Sequence, residues 1–262
     1  MQGEYESMAA IYSVVPSFAP KPIAWGSFTF AESTHFFLSD FHDLSEFHDL
    51  SEAFPDPVKF AVKLAALHIG GTSPTEQYGF HVTTYNDGLP RDNSWKSTWE
   101  EFFANKLRNL LKQEGQAQGP SSELSKLSPP VFERVIPRLL RVLETDGRSI
   151  SPSLIHGNLW YGNASTDLSM GEPIIFGACS FWAHNEYIPH LMDIIPLATG
   201  GGADGRADEL GCWHLVRSKF GRKYWTAYRD QYPISQPEED HDDRIALYSM
   251  YVRVHIVQLP TC

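Results

Sequence analysis

Positive charge is in short supply in this sequence: 21 Lys and Arg stand against 32 Asp and Glu, a formal net charge of −11 over 262 residues. A field of that sign repels a nucleic-acid duplex or an anionic membrane surface. The densest basic cluster, Arg217 to Lys223, reads as a solvated helix end or loop. Cysteine is scarcer still. Cys179, Cys212 and Cys262 make an odd count without metal-ligand spacing. That argues against a disulfide framework or a zinc site and fits a reducing compartment. No apolar run approaches the ~20 residues needed to span a bilayer. The opening MQGEYESMAA carries acids where a secretory signal has a basic and then an apolar region. The expectation is a cytoplasmic protein with no nucleic-acid and no membrane partner.

What is present is ordinary globular material: 42% hydrophobic and 20% charged residues, enough chain for one large domain or two modest ones. Residues 2–14 have helical spacing, with Met8, Ile11 and Tyr12 on one face and Pro16 ending the run. PIAWGSF (22–28) and THFFLSDF (34–41) read as an antiparallel strand pair. FHDLSE then occurs twice in succession, over 41–52, a local duplication too short for a repeat architecture. A proline-led helix is expected at 55–68, and further helices at 99–113, at 129–145 and in the last forty or so residues. PIIFGACSF (173–181) reads as one strand. Strands first and helices afterwards predict an α+β protein.

The stretch LIHGNLWYGN (154–163) has the layout of a phosphotransferase catalytic loop with one letter changed. Such a site needs a carboxylate for the acceptor hydroxyl, an Asn and an Asp for magnesium, and a Lys held by a helix Glu. Here position 158, where the base belongs, is Asn158, and Asn163 stands at the metal-ligand place.

Together with Gly3 to Met8, Phe37 to Phe41, Leu64 to His68, Tyr78 to Asn86, Trp95, Trp99 and His184 to Tyr187, this loop resembles the fructosamine-3-kinase (ketosamine-3-kinase) family, particularly its fungal members. The resemblance covers nearly the whole chain. It implies a protein-kinase-like, aminoglycoside-phosphotransferase-like fold, with a reduced small lobe over 1–41 and a mainly helical large lobe over 42–262. It also exposes departures. The base position is Asn158, the metal-aspartate position is Gly177, and the acid expected two residues after Glu186 is Ile188. The sequence opens at the helix bearing Glu4, so the lysine and phosphate-covering loop of the family are expected to be missing.

These departures predict a degenerate kinase-like protein that binds a small molecule in the former acceptor cleft, with no cofactor and no metal. Any surviving reaction would be independent of ATP and metal, an isomerisation, cyclisation or elimination. The alternatives are a non-enzymatic scaffold or residual ketosamine kinase activity. His184, Glu186 and His156 are the candidate proton carriers, and Asn158 holds the old base position. Trp160, Tyr161, Asn163 and His184 are the candidate substrate contacts. Bland readings stand beside these: a packed His156, a capping Asn163, a core Trp160, a surface turn at 184–187. Cys179 reads as a buried small hydrophobe, and PEEDHDD (237–243) as a solvated acidic loop. Loss of small-lobe strands would leave Ile23, Trp25, Phe36 and Leu38 uncovered, which predicts a homodimer through that lobe.

Overall fold

The computed structural model of the protein describes residues 1–44, 54–86, 88–187 and 220–257. The second FHDLSE copy, Ile188, Cys212 and Cys262 lie outside these residues. Helix α1 (Gln2–Val14) buries Met8 and Ile11 as their spacing requires, and a short 3-10 turn carries Phe18 into the same core. Strands β1 (Pro22–Phe28) and β2 (Ala31–Ser39) form a two-stranded antiparallel sheet. Helix α2 (Pro57–Gly70) starts at Asp56, whose carboxylate accepts from Val58 N and Lys59 N, and buries Phe60, Leu64 and Leu67.

A two-residue ladder follows, β3 (Tyr85–Asn86) with β4 (Leu89–Pro90). Helix α3 (Trp99–Gln118) begins at Thr98, whose hydroxyl accepts from Glu101 N. It continues five residues beyond the expected end, through the polar EGQAQ segment (114–118), with Gly119 following it. The expected helix at 129–145 is instead assembled from pieces. Helix α4 (Ser122–Pro130) runs into a single wide turn, Val131–Val135, then α5 (Ile136–Leu140) and a 3-10 turn to Glu144. Pro129, Pro130 and Pro137 each lack an N–H to donate, which explains the interruption.

The segment expected as one strand at 173–181 is two. Strand β6 (Ala164–Asp167) pairs with β7 (Glu172–Ile175), and β5 (Ser153–Ile155) pairs with β8 (Phe181–Ala183), both antiparallel. Between β7 and β8 the chain turns at Gly177, whose φ is +67°, a left-handed conformation that a β-strand cannot contain. Helices α6 (Arg222–Arg229) and α7 (His241–Val257) follow, α6 against α2 and α7 against α3. One continuous hydrophobic core runs from Met8 and Phe18 through Phe60, Trp99 and Phe181 to Tyr248. Among the described residues no helix is long and apolar enough to cross a membrane.

Candidate active site loop

The loop 154–163 is shaped by two glycines and one histidine. Gly157 has φ +79°, and a Cβ there would sit 2.2 Å from Cys179 O, so no other residue fits under the β7–β8 connection. A Cβ at Gly162 would meet the Trp160 ring at 2.4 Å, so the half-buried indole closes over that glycine. His156 is buried beneath the loop. Its Nδ1 accepts from Asn158 N (3.2 Å), which leaves Nε2 to donate to Phe176 O (3.0 Å). Burial, the largest influence, holds its pKa down at about 3, although the bond to Phe176 O opposes this and the Arg91 charge adds to it. His156 is therefore neutral and fixed in one tautomer, a strut between the loop and the β7–β8 connection.

Asn163 ties the other side. Its Nδ2 donates to Asn158 O (2.8 Å) and lies 3.5 Å from Gly177 O, while Phe176 N donates to Asn163 O (3.0 Å). The loop thus brings Asn158, Asn163 and Gly177 together, as the motif layout predicts. Tyr161 lies in the 3-10 turn Tyr161–Asn163. A Cβ on Gly177 would stand 2.9 Å from Asn163 Oδ1. From the other face, Ser7 of α1 accepts from Ser180 N (2.8 Å) and donates to Gly3 O (2.6 Å), anchoring the connection to the first helix.

Magnesium needs anionic oxygen ligands. The three positions that would surround it supply two neutral amides and a glycine, so this donor set does not fit the ion. Among the described residues there is also no cluster of three His, Cys, Asp or Glu able to hold a metal.

His184 and Glu186 sit in a buried hydrogen-bonded network away from the loop. Both were expected as proton carriers and His184 as a substrate contact, beside the bland reading of a surface turn; at 0% and 3% exposure they are buried, so 184–187 is no surface turn. His184 Nδ1 bonds Tyr248 OH (2.9 Å) and Nε2 bonds Ser235 Oγ (2.8 Å). Burial brings its pKa down to about 4, the Glu186 charge opposing. Glu186 accepts from Ser235 N (2.7 Å) and Arg244 Nε (3.0 Å), with His241 Nδ1 at ion-pair distance (3.4 Å). Burial alone would raise its carboxyl, but His241, His184 and Arg244 outweigh it and hold it well below the usual range. Among the described residues their bonds go to 235–248, not to the loop. They lock α7 onto β8.

One residue that the motif layout does not single out reaches the loop, and a second lies beside it. Arg91 Nη2 donates to Gly157 O (3.1 Å), and Lys106 of α3 lies beside Arg91 against Phe181. The available signal is Lys106 itself, a cation between Phe102, Phe103 and Leu110 on the apolar face of a helix.

The chain is similar to proteins of known family. The family model described as Fructosamine kinase matches residues 1–195. Mouse ketosamine-3-kinase is 30% identical over 177 residues, which cover 67% of this chain and 46% of the relative. The chloroplastic protein-ribulosamine 3-kinase of Oryza sativa subsp. japonica is 34% identical over 125 residues, covering 47% and 34%. The chain thus spans about half or less of these curated relatives. Solved crystal structures share the fold, two of them as follows. One, assigned as a fructosamine-3-kinase of Thermobifida fusca, has TM-score 0.67 at 18% identity and covers 98% of this chain and 74% of its own. The other, a mutant aminoglycoside phosphotransferase, has TM-score 0.55 at 13% identity, covering 98% and 75%. The fold is kinase-like, and the chain belongs to the fructosamine kinase family.

Proposed function

We propose that this chain keeps the acceptor side of the family's site but does not transfer phosphate, and that it binds a small molecule beside the loop 154–163. The observation that carries the reading is the neutral set Asn158, Asn163 and Gly177, held together with no carboxylate among them. An amide at the base position accepts no proton near neutral pH, and loss of a general base alone costs roughly 10²–10⁴ in rate. Without anionic oxygen beside Asn163 the metal is lost as well.

Binding is favoured over an ATP-independent reaction because the candidate proton carriers are engaged elsewhere. His156 is neutral and bonded at both nitrogens, and His184 and Glu186 are buried in the α7 lock. The half-buried Trp160 ring, folded over Gly162, supports a ligand surface next to the loop. The name ketosamine-3-kinase borne by a relative suggests a ketoamine as the ligand class.

The test is direct. Incubate the protein with Mg-ATP and a fructosamine and follow the phosphorus NMR spectrum. No sugar-phosphate resonance is expected over hours at micromolar protein. A stoichiometric conversion would return the chain to the active kinases.

A further inference from the structure

The helix that Pro129, Pro130 and Pro137 break into pieces leaves a recess beside it. In the wide turn Val131–Val135 the bond from Ile136 N reaches back five residues to Val131 O, so one extra residue is fitted into that turn. Val131, Val135 and Leu139, each four residues from the last, line one wall of the recess. Leu247 and Met250 of α7 line the other. Leu139 and Leu247 are buried, whereas Val135 is 37% exposed. The recess has a volume of about 450 Å³. At about 30 Å³ per water-sized group that is room for roughly fifteen heavy atoms, within the range of small-molecule sites.

The charged side chains that line it are Arg134, Arg138 and Asp243, and they are not equivalent. Arg138 Nη1 donates to Asp243 Oδ2 (3.3 Å), and its Nη2 donates to Asp240 Oδ1 (2.9 Å), outside the lining. Both nearby carboxylates are thus taken up by Arg138. Arg134 is exposed and has no hydrogen-bond or ion-pair partner among the described residues. It is the uncommitted cation of the recess. We propose that the recess binds a small amphipathic acid, its apolar chain between the wide turn and α7 and its carboxylate against Arg134. The walls ask for a body without donors or acceptors, and Arg134 asks for one anion. No residue lining the recess belongs to the loop 154–163, so the site does not depend on the loss of phosphate transfer.

Chain length and charge then set the selectivity. Each methylene that leaves water for an apolar wall should raise affinity by about two- to fourfold until the recess is full. The contact with Arg134 is worth less, because water competes for an exposed guanidinium. An acid should bind about threefold tighter than the alcohol of the same length, and added salt should narrow that difference.

Titration calorimetry with sodium decanoate below its micellar concentration, together with NMR of the methionine methyl groups, tests this. Saturable binding is expected, with the Met250 methyl resonance (assigned through Met250→Leu) moving along the same curve. Hexanoate and decanol should bind more weakly than decanoate. Arg134→Gln should bring decanoate down to the level of decanol. Val135→Glu, at an exposed position that tolerates a polar side chain, should weaken decanoate about tenfold or more, because it wets the wall and sets a like charge against the ligand. Absence of saturable decanoate heat, decanol binding as tightly as decanoate, or binding that leaves the Met250 methyl unmoved would each overturn the proposal. So would a dimer that Val135→Glu dissociates, since the occupant would then be a second copy of the chain.

Discussion

At the scale of single residues, Glu186 and Gly177 carry the clearest expectations. Glu186→Gln leaves the fully buried Arg244 without its counter-charge. Breaking such a pair should cost about 3–5 kcal/mol in urea-monitored unfolding. A loss under 1 kcal/mol would mean that α7 is not locked as described. Gly177→Asp restores the family's carboxylate but places a side chain at φ +67° and against Asn163. It should destabilise by roughly 1 kcal/mol or more, read from the same unfolding curves. The sequence allowed Asn158, Asn163 and Gly177 to be placed together because motif spacing is a local property. It could not place His184 and Glu186, whose surroundings come from 235–248, far along the chain. Lys106 and Arg91 escaped for the same reason: the ring they share, Phe181, is distant in sequence from both.

Among the elements, α1, α2 and the β1–β2 pair were legible because their signals are local: periodicity, a leading proline, and alternation. Asp56 is the working part of the α2 start, and Asp56→Ala should cost about 1 kcal/mol through two lost capping bonds. The hairpin shows where local reading stops. Ile23, Trp25, Phe36 and Leu38 were expected on one uncovered face, but register divides Trp25 from the last two. Trp25 pairs with Phe37, which meets Tyr5 of α1 edge-on, whereas Phe36 pairs with Gly26 and Leu38 with Ala24. Directly opposed residues share a face, so Phe36, Leu38 and Phe28 form the surface turned from α1, and all three are exposed. We propose that the protein forms a homodimer through this face. Light scattering at micromolar protein should then show a dimer that Phe36→Lys dissociates, and a particle near the chain mass of 29.6 kDa would contradict it. The same locality hid the break at Gly177, where composition reads as strand and only the turn geometry shows otherwise.

For the molecule as a whole, buried neutral histidines set the response to acid. Burial lowers His68 and His156 to about 3 and His184 to about 4. In the unfolded chain each returns to about 6.5, so below that value the unfolded state binds more protons and folding loses stability as pH falls. The denaturation midpoint should therefore drop between pH 7 and 5, and His68→Phe should flatten the slope. The central claim concerns the other direction, what the fold no longer holds. A family site without carboxylates at positions 158 and 177 should gain nothing from Mg-ATP. Thermal unfolding with saturating Mg-ATP measures this most directly, because a ligand at 100 times its Kd adds about 2.7 kcal/mol to the folded state. An unchanged midpoint is the predicted result; an upward shift of several degrees, saturating with nucleotide and dependent on magnesium, would contradict the account.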